Sequence, residues 1–119
     1  LEAAVAEALE AHLAGERTAM LDRLEDEGFD RITDGVSGFV VAGLLPDGDI
    51  ADQVEAILQE ELLETLELKE ATGSGALSNT EGWRAWKVMR AENDRALTAL
   101  IGEEATRALR AELDSKGKD

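Results

Sequence analysis

The stretch GVSGFVVAGLLPDGD, residues 35–49, decides how this chain folds. It continues an apolar stripe at three- and four-residue steps that consists of Phe29, Ile32, Val36, Phe39, Val40, Gly43 and Leu44. This period predicts a helix over residues 30–45, although each glycine lowers helix propensity by about 1 kcal/mol relative to alanine. Pro46 limits the helix, and the Pro-Asp-Gly sequence predicts a turn into the next one. We expect residues 30–45 to form the central core helix, or a dimer contact if the stripe is exposed.

Helical periodicity also dominates the rest of the chain. The predicted helices cover residues 1–27, 30–45, 50–72 and 79–114. No period-2 run of β-branched residues occurs, so a sheet is not expected. Because the predicted connections are short, the sequence predicts an all-α antiparallel bundle of four to five helices. We expect a single helical domain over residues 1–114 and a flexible tail over residues 115–119.

Local signals predict where these helices begin and end. Gly28 is a predicted C-terminal stop for the first helix. Asp49 or Asp52 is predicted to cap the third segment, since a carboxylate accepts hydrogen bonds from the first backbone N–H groups. The sequence SNTE, residues 78–81, is a capping box and predicts the start of the last long helix. Gly102 is predicted to kink that helix or to divide it in two.

The balance of charge restricts the kinds of partner. The chain has 27 acidic and 12 basic residues, for a net charge of −15, and residues 1–60 carry most of the excess. Such a surface repels phosphate groups, so nucleic acid is not an expected partner. No apolar run approaches the roughly 20 residues that span a bilayer, so membrane insertion is not expected either. The acidity is also compatible with simple solubility or with a saline habitat.

Two loop-like motifs in the opening stretch lack the residues that their chemistry needs. GVSGFVVAG is not followed by the lysine of a phosphate-binding loop. Asp47, Asp49 and Asp52 are spaced like calcium ligands, but the closing glutamate of a calcium loop is replaced by Leu58. We therefore expect a structural turn.

Catalytic and metal-binding groups are scarce in this sequence. His12, Glu16 and Met20 recur at steps of four and could share one metal, but a single histidine supplies at most part of such a site. No motif links a serine to His12, and the chain has no cysteine. We expect no catalytic residues, no metal, no cofactor and no enzymatic activity.

The one basic and aromatic cluster is the strongest candidate for binding. It consists of Trp83, Arg84, Trp86, Lys87 and Arg90, which we call the indole patch. Two interpretations remain open. The indoles are core anchors with a polar N–H at the rim, or they form a binding hot spot, where tryptophan and arginine are enriched.

A second candidate surface is acidic. Glu60, Glu61, Glu64 and Glu67 form a predicted ridge on the helix over residues 50–72, and we call it the acidic face. It is interpreted as a solvated surface or as a docking surface for a basic protein. The second interpretation describes a cytoplasmic regulator or inhibitor, including one that mimics nucleic acid.

The segment RAENDRALTALIGEEATRALRAEL, residues 90–113, resembles the end of small bacterial periplasmic helical proteins of the Spy/CpxP type. Those proteins carry an LTxxQ motif that starts a helix after a long helix. Leu100-Ile101-Gly102-Glu103-Glu104 occupies the equivalent place without the threonine and glutamine, and Leu97-Thr98-Ala99-Leu100-Ile101 keeps the Leu-Thr pair. The resemblance implies an envelope protein that binds misfolded chains or senses stress, often as a dimer.

These observations predict a non-catalytic helical interaction or sensor module. Its predicted partner is a protein or peptide, and we expect it to self-associate as a homodimer. A periplasmic or secreted setting is slightly favoured over the cytoplasm, although no residue of the chain fixes the compartment.

Overall fold

The computed structural model describes the backbone of residues 2–116 and the side chains of residues 19–115. The described chain forms four helices and no strand: α1 (Glu2–Val41), α2 (Asp49–Ser74), α3 (Asn79–Ile101) and α4 (Glu103–Lys116). Each helix packs on the next, and α4 returns to α1, so the four surround one core. The all-α prediction is confirmed. Ser115 and Lys116, predicted to be part of the tail, are helical, and residues 117–119 lie outside the described part.

The prediction that Gly28 ends the first helix was wrong, because α1 runs through it without a break. Gly28 is buried, and a Cβ built on it would lie 2.5 Å from a methyl carbon of Leu62 on α2. A Cβ built on Gly35 would lie 2.9 Å from a methyl carbon of Leu113 on α4. A Cβ built on Gly38 would have no neighbouring atom within 4 Å. Two of the glycines that suggested interruptions therefore allow close helix contacts.

The α1 helix ends earlier than residue 45, in a left-handed turn at Gly43. The N–H of Gly43 donates to the carbonyl of Val40 at 3.1 Å, and the N–H of Leu44 donates to that of Phe39 at 2.9 Å. This pair of bonds is the Schellman motif, which satisfies the last carbonyls of a helix. The predicted apolar stripe divides here: Phe39 and Val40 are half-buried, whereas Leu44 is exposed.

The α2 helix begins at Asp49, and the prediction of an aspartate cap was wrong. Gly48 is the N-cap and makes no side-chain cap bond. The carboxylate of Asp47 instead accepts a hydrogen bond from the N–H of Gly48 at 2.7 Å, which tightens the turn. Asp49 and Asp52 lie in the first turn, where negative charge suits the positive end of the helix dipole.

Both signals in the C-terminal part of the chain are confirmed. Ser78 and Glu81 form the capping box at the start of α3. Gly102 separates α3 from α4, because its φ of 88° is not helical. Glycine is favoured at this position, since residues with a side chain rarely adopt such a φ. The carbonyl of Gly102 accepts hydrogen bonds from both the N–H and the hydroxyl of Thr106, in the first turn of α4.

The core lies where all four helices meet. Its fully buried side chains are Val54 from α2, Leu97 from α3 and Leu109 from α4, and Val36 of α1 is nearly so. Burying side chains of this size contributes about 1.5–3 kcal/mol each. Among the described residues, no helix is both long and apolar enough to cross a membrane.

Candidate interaction site on α3

The two indoles of the indole patch lie at the end of α3 that precedes its described ion pairs with α4. The two helices run antiparallel: the Nε of Arg110 lies 2.8 Å from an oxygen of Asp94, and a guanidinium nitrogen of Arg90 lies 3.3 Å from an oxygen of Asp114. The described part of α4 extends to Lys116. Within the described residues, the first two turns of α3 therefore have no α4 residue beside them on this face.

Trp83 and Trp86 stack on each other at this uncovered end. Their ring centroids are 5.2 Å apart and their planes differ by 20°. Trp83 is 58% exposed, whereas Trp86 is half-buried. The interpretation of both indoles as core anchors therefore does not hold for Trp83, which presents a large apolar ring to solvent.

Two cations lie over the indole faces. The Nζ of Lys87 is 5.9 Å from the centre of the Trp83 ring, and the guanidinium carbon of Arg90 is 5.2 Å from that of Trp86. Cations in these positions are attracted by the electron-rich faces of the rings. Arg90 is also held by Asp114, so it fixes the Trp86 ring from the α4 side. Arg84 is exposed and is not one of the described cations that contact the indoles.

Local structure positions the pair. The capping box sets the start of α3: the hydroxyl of Ser78 accepts from the N–H of Glu81, and a carboxylate oxygen of Glu81 accepts from the N–H of Ser78, both at 3.1 Å. Gly82 is buried, and a Cβ on it would lie 2.5 Å from a methyl of Thr72 on α2. This close contact presses one face of α3 onto α2, and Trp83 follows about 100° further around the helix, away from α2.

The four residues of the predicted acidic face are not equivalent. Glu60, Glu64 and Glu67 are exposed. Glu61 instead turns inward and forms a salt bridge with Arg110 of α4, in which both of its oxygens are engaged. Glu61 also accepts a hydrogen bond from the amide of Asn93 on α3 at 3.3 Å.

This network joins three helices in the middle of the bundle. The side chains of Arg110 and Glu61 are each only 12% exposed. Burial alone would lower the pKa of Arg110, but the hydrogen bonds and charges of Glu61 and Asp94 outweigh it and raise that pKa above its ordinary value. The guanidinium is therefore always charged, and it acts as a structural connection between α4, α2 and α3.

One sequence signal could have identified Glu61 as an interior residue. It lies three residues after Leu58 and seven after Val54, on the stripe that also carries Leu62. A charged residue within an apolar stripe requires a buried partner. The sequence contains no signal that this partner is Arg110, because the two residues are far apart in the chain.

The remaining chemical candidates gain no support from the structure. Within the described residues, no group of three acidic or histidine side chains could hold a metal ion. The side chains of His12 and Glu16 lie outside the described part of the chain. Comparisons with protein families, with curated proteins and with solved structures find no match to this chain. The resemblance to Spy/CpxP-type proteins therefore stays a prediction.

Proposed function

We propose that this protein is a non-catalytic interaction module whose indole patch binds a protein or peptide partner. The observation that carries the proposal is the stacked pair at the end of α3, in which Trp83 is 58% exposed and a cation lies over each ring. Tryptophan and arginine are the residues most enriched where interfaces concentrate their binding energy.

The geometry suits binding because the pair is already ordered. The two indoles contact each other, and Lys87 contacts Trp83 while Arg90 contacts Trp86. Few rotatable side-chain bonds would therefore lose freedom when a partner binds. Ordering a rotamer-rich side chain costs about 0.5–1.5 kcal/mol at an interface, and a pre-ordered pair avoids most of that loss.

A second copy of the chain is one candidate partner. The indole patch is basic, whereas residues 1–60 carry 15 acidic and three basic residues, so the two regions are complementary in charge. A homodimer in the bacterial envelope is the setting that this proposal favours. Sedimentation velocity at tens of micromolar tests self-association: a dimer that becomes a monomer in W83A supports it, whereas a wild-type monomer contradicts it.

The proposed site is tested with peptides selected by phage display against the wild-type protein. We expect W83A to weaken the selected peptides by about thirtyfold, corresponding to the 2 kcal/mol typical of a hot-spot residue. V88A is the matched control, because Val88 is 60% exposed on the same end of α3 but outside the indole patch. Isothermal titration calorimetry measures both variants.

The proposal is contradicted if the peptides bind W83A as tightly as the wild type, or if V88A weakens them equally. The variants remain comparable only if they fold alike. Trp83 is exposed, so we expect its substitution to leave the circular dichroism spectrum unchanged.

A further inference from the structure

A cleft of about 510 Å³ lies between α3 and α4, next to the indole patch. Its charged lining consists of Arg90, Arg95, Arg107 and Arg110, opposed by Asp94 and Glu103. The lining therefore holds four cations and two carboxylates, and Asp114 and Glu61, outside the lining, pair with Arg90 and Arg110. Its volume falls within the range of about 300–1,000 Å³ that is usual for ligand pockets.

Two of the four arginines are committed to the fold. Arg110 is held by Glu61 and Asp94 in the interior network. Arg90 is held between the Trp86 ring and Asp114. These two side chains define the wall of the cleft and have little capacity for a further anion.

The other two arginines are available. Among the described residues, Arg95 makes only a long hydrogen bond, 3.4 Å, to the carbonyl of Ala91 and has no carboxylate partner. Arg107 pairs with Glu103, one turn away on α4, at 2.9 Å, with side chains 76% and 78% exposed. Exposed pairs of this kind contribute little to stability, so an incoming carboxylate could replace Glu103.

The cleft continues the surface of the indole patch. Trp83, Lys87, Arg90, Asp94 and Thr98 recur at steps of three and four residues, so they follow one face of α3. Arg90 belongs to both regions, since it lies over Trp86 and also lines the cleft. A ligand that extends along α3 would therefore contact the indoles first and the arginines next.

We infer that the cleft binds the carboxylates of an acidic peptide segment whose apolar residues pack on Trp83. This inference rests on the proposed function and specifies the partner's chemistry. Arg95 and Arg107 would supply charge-assisted hydrogen bonds to carboxylate oxygens, and the exposed Thr98 lines the same cleft. A long polyanion is disfavoured because the rest of the surface is strongly acidic, whereas a short segment can reach Arg95 and Arg107 without extending onto that surface.

The test uses a fluorescein-labelled peptide with two leucines followed by three aspartates, and the same peptide with asparagines. Fluorescence anisotropy measures binding at physiological salt. We expect R95Q and R107Q each to weaken the aspartate peptide by about tenfold, since a hydrogen bond to a charged group contributes about 1.5–3 kcal/mol. E103Q should strengthen binding several-fold, because it removes the internal competitor for Arg107. R23Q is the matched control, an exposed arginine on α1 outside the cleft, and should bind like the wild type.

Different outcomes separate the cleft from the indole patch. If W83A weakens the aspartate peptide but R95Q and R107Q behave like R23Q, the cleft inference is wrong and the proposed function stands. If the arginine variants weaken binding and W83A does not, the cleft binds anions and the proposed role of the indoles is wrong. Equal affinity for the asparagine peptide, or no binding at millimolar concentration, overturns the inference. Tighter binding of a single-stranded oligonucleotide or of anionic vesicles overturns the assignment to a peptide.

Discussion

The two halves of α3 differ in how closely they contact α4. In the C-terminal half, Leu97 is fully buried and Asp94 is bound by Arg110 of α4. In the N-terminal half, Trp83 is 58% exposed. Within the described residues, α4 extends to Lys116 and its ion pairs with α3 involve Arg90 and Asp94. The described contacts with α4 thus accompany the burial of Leu97 and are absent beside the exposed Trp83.

This division separates stability from binding. The covered half contributes buried apolar area and an interior ion pair, so changes there should lower the free energy of unfolding. The uncovered half contributes a pre-ordered aromatic surface, so changes there should alter affinity with little effect on stability.

The largest effect is expected for L97A in the covered half. Removing a fully buried leucine side chain leaves a cavity among the four helices and should lower the free energy of unfolding by about 2–5 kcal/mol. V88A in the uncovered half should change it by less than about 0.5 kcal/mol. Urea unfolding followed by circular dichroism measures both. Similar losses in the two variants would show that the first turns of α3 are buried in solution, and would remove the comparison on which the proposed site rests.

A smaller loss in the free energy of unfolding is expected for R110M. This substitution removes the cation that pairs with Glu61, whose side chain is only 12% exposed. Breaking one partner of a buried pair costs about 3–5 kcal/mol, and the remaining exposure of these side chains should reduce this to about 2 kcal/mol. The double variant E61L/R110M should recover most of the loss, since apolar residues can replace a buried ion pair. Urea unfolding of the single and double variants measures the recovery. If the double variant is no more stable than R110M, the ion pair makes a net contribution to stability that apolar side chains cannot replace.

The features that the sequence predicted correctly are those that depend on a few adjacent residues. Ser78 and Glu81 form a cap through their own backbone groups, and Gly102 breaks the helix through its own φ angle. Gly28 was predicted wrongly because its role depends on Leu62, which approaches from another helix. A glycine has the same local propensity whether it ends a helix or accommodates a neighbour, so only tertiary contact distinguishes the two.

The same limit applies to the candidate site. The cluster of Trp83, Trp86 and their basic neighbours was evident from composition and spacing. The exposure of Trp83 was not, because it depends on which other helices contact the start of α3. The inward turn of Glu61 was missed because its acidic neighbours suggested a uniform surface, although its place on an apolar stripe indicated burial.

The smallest predicted effect concerns how the uncovered end of α3 is held. Two interactions with Ser78 lower the pKa of Glu81 below its ordinary value. The larger cause is the hydrogen bond from the backbone N–H of Ser78, and the smaller is a hydrogen bond with the side chain of Ser78. A carboxylate with a lowered pKa in the folded state stabilises that state above its unfolded pKa of about 4.3, and this contribution is lost as the pH falls through the lowered pKa. E81Q keeps the shape of the side chain without the titration. The wild type should therefore melt slightly above E81Q at pH 7, and the gap should close in acid when both are followed by circular dichroism. A gap that is the same at both pH values would mean that the charge of Glu81 does not support the cap.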